Sequence, residues 1–435
     1  MKEFINFDYK YRMMPIKYFT LYFIFTFLIF IFSDASSKID NMPTLVFYVS
    51  MFYLFLYLGY WLGIRTKKIN YSSEVNSNIF LVKKIIFFSS FYYTLWGINQ
   101  IIDFGGTSIG SVISTIANPG EAYQNKFDIF DNRESENIVN RLTQVLILLS
   151  FLNSVFIILL VVYWKKISFF LKCFSVFSVI IYMASYLYIG TQKGLGDVII
   201  YIAVGMIILV ASGYKSKHKK AIKLFAILLI FSMFSYMVFN QGLRAIQFGQ
   251  NSTVLFDDIY NSYIARNFSE QVAFGFYNTI SYPSHGYLGL SYNLSQEYEF
   301  SYGSGLSPAF ESYRHQFLGG ESNLLKTYSF RTESATGWPA GMYWATVFPW
   351  IASDLSFPGT IIFMFFIGFL FSRTWIKAIT KKDILSYAIL GQIFIFLFYI
   401  PANNQVLLQR QGFWIVISII VLSIFKNLGK KRSYV

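Results

Sequence analysis

The chain has 435 residues, of which 55% are hydrophobic, 21% aromatic and only 13% charged. This composition lies outside the range of soluble globular proteins, so a membrane protein is expected. The formal net charge of +14 does not indicate nucleic-acid binding, because the basic residues flank apolar stretches, where they meet anionic lipid. The one cysteine, Cys173, lies in an apolar run, which excludes a disulfide framework and a cysteine metal site.

Ten apolar stretches follow one another along the chain, each at or near the length of about 20 residues that a helix needs to cross hydrocarbon. They cover residues 18–33, 44–64, 85–104, 142–164, 167–189, 197–212, 221–240, 343–371, 384–400 and 407–425. The eighth stretch contains Pro349 and Pro358. Since proline interrupts helices, we expect a re-entrant or surface helix before this stretch crosses the membrane.

The charged residues between these stretches differ in sign from one side to the other. Segments assigned to the inside hold 25 of the 36 Lys and Arg and 4 of the 22 Asp and Glu, and outside segments hold the other 11 and 18. The bias of Lys and Arg towards the cytoplasm places both termini inside. The sequence therefore predicts an all-α polytopic membrane protein with about ten transmembrane helices.

The chain divides into a membrane domain with spans one to seven (1–240), an outside loop (241–342), and spans eight to ten with a basic tail (343–435). About a fifth of the loop is aromatic, a content that a disordered linker lacks. The loop is therefore predicted to fold as short helices packed on the membrane domain. Aromatic rings also suit sugar binding, because a pyranose has an apolar face that stacks on a ring.

Basic residues are scarce on the outside, which makes each of them a candidate ligand for an anion. Lys193 follows span five, Arg244 follows span seven and Arg410 lies at the mouth of span ten, so three helix ends offer cations to one phosphate-bearing ligand. Further candidates lie in the loop: Arg266, Arg314 and, more weakly, Arg331. The alternative for each residue is an interfacial anchor or a partner of an outside acid.

The loop also contains two candidates for a general base, namely His285 and His315. A neutral imidazole removes a proton from a hydroxyl near neutral pH. The alternative for each histidine is a surface or structurally bonded side chain. The sequence has no cluster with metal-ligand spacing, no phosphate-binding or dinucleotide fingerprint, and no nucleophile elbow on the outside. We therefore expect neither a metal nor a nucleotide cofactor.

Three stretches resemble the O-antigen and oligosaccharide repeat-unit polymerases of the Wzy type. They run from Tyr188 to Asp197, from Gly286 to Ser307 (in two pieces, 286–294 and 300–307) and from Trp344 to Gly359. The overall plan is similar too, with about ten spans, both termini inside, a large late periplasmic loop and many aromatic residues.

The resemblance implies a GT-C-like glycosyltransferase on the periplasmic face of the bacterial inner membrane. Such an enzyme transfers a glycan from an undecaprenyl-diphosphate donor to a sugar hydroxyl of a new lipid-linked repeat unit, with no cofactor. The implied partners are undecaprenyl-diphosphate-linked oligosaccharide as donor and acceptor, membrane lipid and, as a further candidate, a chain-length regulator protein.

Under this resemblance, the outside cations would stabilise the charge that develops on the leaving lipid diphosphate. The candidates are Lys193, Arg244, Arg266, Arg314, Arg410 and Arg331. His315, His285 or Glu311 would serve the acceptor hydroxyl as base. Asp354 is expected to bond the backbone or an arginine at the membrane boundary.

Three alternatives remain open. An O-antigen ligase uses the same donor but a lipid A core acceptor. A lipid-linked oligosaccharide flippase or other transporter would have buried charges or broken helices at mid-membrane. A membrane acyltransferase would have a histidine–acid pair at the membrane. The span centres are almost free of charge and the largest elaboration lies outside, which favours an enzyme over a transporter.

Overall fold

The computed structural model describes residues 9–65, 78–106, 108–131, 138–212 and 219–432, and within these ranges the regular structure is entirely helical. The α-helices in chain order are α1 (Tyr9–Ile31), α2 (Met42–Arg65), α3 (Ile79–Asp103), α4 (Ile109–Ala117), α5 (Pro119–Asp131), α6 (Ile138–Leu148), α7 (Phe151–Tyr163), α8 (Phe169–Tyr188), α9 (Lys193–Ala211), α10 (Lys219–Gln247), α11 (Tyr263–Asn267), α12 (Glu270–Ser281), α13 (Gly286–Leu294), α14 (Pro308–Leu318), α15 (Tyr328–Thr336), α16 (Phe348–Lys381), α17 (Ile384–Tyr399) and α18 (Arg410–Arg432). The inside loops 66–77 and 213–218, which contribute to the predicted orientation, lie outside the described residues.

Seven of the described helices are long and apolar enough to cross a membrane: α1, α2, α3, α8, α9, α10 and α16. The segments Leu142–Leu148 and Phe151–Lys166 are bent by 61° and make an eighth span if they are counted as one. The apolar helix α17 has 16 residues, or about 24 Å at 1.5 Å per residue, which is shorter than a full crossing. The predicted all-α polytopic membrane protein is therefore confirmed, and the full count of ten spans stays a prediction.

The chain forms two compact units, each discontinuous in sequence. The first unit comprises Met1–Ser72, Asn251–Thr380 and Gln392–Phe413, and the second comprises Ser73–Gln250, Lys381–Gly391 and Trp414–Val435. Nearly all of the predicted outside loop thus belongs to the same unit as the apolar helices α1 and α2.

Glycines bring α2 and α16 of the first unit into direct backbone contact. A Cβ on Gly59 would overlap the carbonyl oxygen of Phe365, and a Cβ on Gly368 would overlap that of Leu56. Small residues at such positions allow apolar helices to approach closely, because packing and not the hydrophobic effect holds them together in lipid. The two helices therefore pack closely at these positions.

The short helix α13 of the outside loop is inserted among the apolar helices of the first unit. The Tyr287 hydroxyl is 3.1 Å from the Thr26 hydroxyl and 2.7 Å from the Tyr53 hydroxyl, and Tyr287 is fully buried. Tyr53 lies about 16 Å along α2 from its first residue, Met42. The loop is therefore folded into the membrane helices as short helices, which confirms the prediction made from its aromatic content.

Two non-helical segments lie side by side next to α13. The N–H of Thr346 donates to the Ala402 carbonyl at 2.8 Å, and the N–H of Val347 donates to the Ile400 carbonyl at 3.0 Å. Backbone outside helices is tolerated within a membrane only where it is buried in protein or lines a polar cavity. Here the segments that precede α16 and follow α17 satisfy each other's backbone groups.

Asp354 ties the long helix α16 to the outside loop. Its carboxylate accepts hydrogen bonds from the Ser301 hydroxyl at 2.6 Å and from the N–H groups of Gly303 and Leu306 at 2.8 and 2.7 Å. Two residues later, Ser356 has a φ of 61° that breaks the helix. The expectation that Asp354 bonds backbone is confirmed, and the expected interruption of span eight occurs at Ser356 and Pro358.

The second unit contains a bundle in which α3 and α8 are joined by polar contacts. The hydroxyls of Ser90 and Ser175 are 2.9 Å apart, and the Thr94 hydroxyl donates to that of Ser178 at 3.0 Å. Hydroxyl pairs of this kind hold transmembrane helices together because no water competes for them. The short helices α4 and α5 pack against α8 of this bundle.

We expect Asp354→Asn to destabilise the protein by about 2 kcal/mol, because a buried carboxylate that accepts three hydrogen bonds is replaced by a group with one acceptor oxygen. Thermal unfolding of the purified full chain in detergent measures this loss. Asp40→Asn is the control, since Asp40 is an exposed acid of the same unit. Equal unfolding temperatures for the two variants would contradict the role given to Asp354.

Candidate functional site

His285 is one of three predicted base candidates, and its ring is bonded on both sides to backbone. Its Nδ1 lies 3.1 Å from the Ser281 carbonyl, and its Nε2 accepts the N–H of Trp344 at 3.2 Å. The ring also stacks on the Trp344 indole at 5.2 Å and is buried. Burial lowers the pKa of His285 to about 4, against the opposing effect of the Ser281 carbonyl, so the imidazole is neutral. This arrangement joins α12 to the segment before α16 and leaves neither nitrogen open to a substrate.

Glu311, the second candidate, is held in a buried ion pair with Arg314. The Arg314 Nε and one terminal nitrogen each lie 2.7 Å from a different Glu311 oxygen, which is the two-point geometry that arginine favours. The N–H of Asn323 adds a third hydrogen bond at 2.8 Å. These partners, Arg314 first, hold the pKa of Glu311 at about 2. A carboxylate with so low a pKa is a weak base at neutral pH.

Arg314, which is also a predicted diphosphate ligand, uses its remaining donors on the turn that follows α14. Its terminal nitrogens donate to the Gly319 carbonyl at 3.1 Å and to the Glu321 carbonyl at 2.6 Å. Four of the five guanidinium N–H groups are therefore directed at protein acceptors. This geometry indicates that Arg314 closes the 319–323 turn.

His315, the third base candidate, is on the same helix but exposed to solvent. Its ring makes no hydrogen bond, ion pair or ring contact with any residue that the structure describes. Of the three candidates, His315 is therefore the side chain most accessible to a ligand.

Two predicted cations of the first unit are exposed and are not ion-paired within the described ranges. Arg266 is in the last turn of α11, and its guanidinium has no hydrogen-bond partner there either. Arg410 begins α18 and lies over the Tyr313 ring at 5.1 Å, so that it is next to α14. These two arginines retain their donors for an external anion.

Arg331 differs from these two in having protein partners. It donates to the carbonyls of Lys326 and Glu297 at 3.2 and 2.6 Å and lies 3.9 Å from the Glu299 carboxylate. It also covers the Tyr328 ring at 5.0 Å. These contacts indicate that Arg331 stabilises the loop. The sequence analysis likewise treats it as the weaker candidate for an anion ligand.

The remaining two predicted cations, Lys193 and Arg244, belong to the second unit. Lys193 forms an ion pair of 2.7 Å with Asp197, one turn along α9. Arg244 stacks over the Tyr123 ring at 3.8 Å and has no carboxylate partner in the described part of the chain. Arg244 is thus the better anion ligand of the two.

The sequence analysis did not select Lys126, which is close to Arg244. Burial lowers the pKa of Lys126, and the nearby guanidinium of Arg244 lowers it further. Lys126 also lies 5.7 Å from the Tyr123 ring that Arg244 covers. The scarcity of basic residues in the predicted outside segments could have drawn attention to Lys126. Its position near the end of α10, however, depends on how α5 packs.

Comparison of the chain with models of protein families, with curated proteins and with solved structures shows no match. The resemblance to polymerases accordingly rests on the three stretches and on the plan of the chain.

We expect the Glu311–Arg314 pair to stabilise the protein above pH 4.5 and to lose this effect as the pH falls towards 2. The pKa of Glu311 is about 2 in the folded protein against 4.5 normally, so the unfolded chain takes up the proton first and acid favours unfolding. Glu311→Gln should therefore cost about 2 kcal/mol at pH 7 and less at pH 3. Unfolding temperatures of wild type and variant at both pH values measure the difference.

Glu297→Gln provides the control for this experiment, because Glu297 is an exposed acid of the same loop. It should leave the unfolding temperature unchanged at both pH values. A cost for Glu311→Gln that is the same at pH 3 as at pH 7 would contradict the account of the ion pair.

Proposed function

We propose that the chain is a metal-independent glycosyltransferase that polymerises undecaprenyl-diphosphate-linked oligosaccharide repeat units on the periplasmic face of the bacterial inner membrane. Donor and acceptor are both lipid-linked, so the reaction takes place where membrane helices meet a folded outside segment. The alternative within the same chemistry is an O-antigen ligase. The two enzymes share the donor, and the stretches Tyr302–Gly305 and Trp350–Asp354 favour the polymerase.

The observation that carries the proposal is the insertion of the outside loop into the helices α1 and α2, with Arg266 and Arg410 exposed on the same unit. Outside segments contain 18 acids and 11 basic residues, so most outside cations have acids available to neutralise them. Neither of these two arginines has such a partner among the described residues. Guanidinium groups presented in this way suit an anionic ligand with planar pairs of oxygens, such as a diphosphate.

In the proposed reaction, the bond between the anomeric carbon of the donor glycan and the diphosphate oxygen breaks, and its electron pair leaves with the diphosphate. Arg266 and Arg410 of the first unit are the proposed ligands of this leaving group. Cations fixed in advance stabilise the growing charge without having to reorganise. A new bond forms between the anomeric carbon and the acceptor hydroxyl oxygen.

His315 is the proposed base that takes the proton of the acceptor hydroxyl. The support is its exposure, whereas His285 is bonded at both nitrogens and Glu311 is paired with Arg314. Arg314 and Arg331 are proposed to hold the loop, and Lys193 to pair with Asp197.

A lipid-linked oligosaccharide flippase is the second candidate, and two features favour it. The segments Leu142–Leu148 and Phe151–Lys166 are bent by 61°, and α16 is broken at Ser356. Broken helices are common at the substrate sites of transporters. The break in α16, however, is bonded to the outside loop through Asp354, which makes it part of the folded outside structure.

Complementation of a strain that lacks the polymerase of this glycan locus tests the proposal. Wild type should restore a ladder of long lipopolysaccharide chains on a gel. Arg410→Ala, Arg266→Ala and His315→Ala should each shift it towards the core with a single unit, because the loss of one group that stabilises transition-state charge or accepts a proton lowers the rate by about a hundredfold.

Arg65→Ala is the matched control at equal expression, because Arg65 is also an exposed arginine over an aromatic ring, at 3.6 Å from Trp61, but at the inside end of α2. It should leave the ladder unchanged. Absence of all glycan from the core in the null strain would point to a ligase or flippase instead. An unchanged ladder in all three site variants would reject the residues assigned here.

A further inference from the structure

The second unit contains a cavity that none of the predicted site residues lines. Its volume is about 280 Å³, and its walls come from the end of α3, from α4 and α5, and from the end of α8. The side chains that matter for binding are Phe104, Thr115, Asn125, Lys126, Asp128 and Tyr188. The volume is near the lower limit of small-molecule sites, which begin at about 300 Å³, so the cavity fits one ring and not a chain of sugars.

The walls of the cavity are fixed by specific backbone contacts. The Tyr188 hydroxyl donates to the Phe104 carbonyl at 3.1 Å, which joins the ends of α8 and α3. Gly190 has a φ of +66°, and a Cβ there would overlap the backbone of Tyr123 in α5. Only glycine allows this approach without strain. The cavity is therefore a built feature of the fold.

The lining combines aromatic surface with both kinds of hydrogen-bonding group. Phe104 and Tyr188 are aromatic, Asn125 and Lys126 carry hydrogen-bond donors, and Asp128 carries a carboxylate. A ligand with both hydroxyl groups and an apolar ring face matches such a mixed lining. A carboxylate accepts hydrogen bonds from hydroxyls but repels a phosphate. Lys126 in the same lining offsets this negative charge, so the lining suits a neutral polyhydroxylated ring.

Positive charge extends from Lys126 in the cavity lining to Arg244 near the end of α10. Arg244 is close enough to lower the pKa of Lys126, which burial also lowers. The guanidinium of Arg244 lies over the ring of Tyr123, the residue after the lining residue Ala122. A sugar in the cavity would therefore have a cation beside it.

We propose that this cavity is a saccharide site that holds a single pyranose ring of the substrate glycan, with the Asp128 carboxylate accepting from its hydroxyls and the Phe104 and Tyr188 rings covering its apolar face. The identity of the ligand as a sugar of the growing chain rests on the proposed function. The cavity, the residues that line it and the backbone contacts that fix its walls are independent of the proposed function.

Saturation-transfer NMR on the purified full chain in lipid nanodiscs tests the site. The probes are the methyl pyranosides of glucose, galactose, mannose and N-acetylglucosamine, with inorganic pyrophosphate as a competing anion. At least one pyranoside should bind. Thr115→Trp, which fills the cavity, and Asp128→Asn, which removes the charged acceptor, should each weaken its binding by about tenfold or more.

Ser114→Trp is the matched control, because it places the same side chain on the same helix at an exposed position. It should bind the pyranoside as wild type does. Absence of binding by every pyranoside, equal binding by wild type and Thr115→Trp, or binding of pyrophosphate alone would each overturn the inference.

A parallel assay of glycan transfer separates this inference from the proposed function. Sugar binding that is lost in Thr115→Trp, together with no chain growth by the wild-type protein, would reject the polymerase and retain the saccharide site. Chain growth by a wild-type protein that binds none of the pyranosides would reject the saccharide site alone.

Discussion

The contact between the Tyr287 hydroxyl and the hydroxyls of Thr26 and Tyr53 is the constraint on which the first unit depends. It joins a helix of the outside loop to two apolar helices, at distances of 3.1 and 2.7 Å. A buried hydroxyl without a partner costs free energy, so the three groups stabilise only the inserted arrangement of α13. The loop is thereby fixed relative to α1 and α2 within this unit, so its side chains have defined positions.

Further polar contacts hold the rest of the loop in place. Asp354 bonds the 301–306 turn, Glu311 and Arg314 close the turn after α14, and His285 bonds the segment that precedes α16. Each of these groups is used by the fold, so the proposed chemistry is assigned to exposed residues. Under the proposed function, exposed cations on such a support would stabilise the leaving diphosphate.

Hydropathy predicted the helical class and seven of the ten spans, and the aromatic content of the loop predicted its folding, because these depend on local composition. The partners of individual side chains were less accessible. Glu311 and Arg314 are three residues apart on one helix face, a spacing that can be read from sequence, whereas His285 bonds a residue 59 positions away. Lys126 and Arg244 meet only because α5 packs beside the end of α10, and no periodicity predicts such a contact. The bounds of α13 were not predicted either, because a nine-residue helix that contains Gly and Tyr has the composition of a loop.

Transfer by the purified chain is the most direct test of the central claim that it is a glycosyltransferase. The full chain would be reconstituted in liposomes with one synthetic undecaprenyl-diphosphate-linked repeat unit accessible on the outer leaflet, and lipid-linked products would be measured by mass spectrometry. The account predicts lipid-linked chains of two and more units, with one undecaprenyl diphosphate released for each bond formed. Movement of the unit to the other leaflet without chain growth would contradict it and identify a transporter.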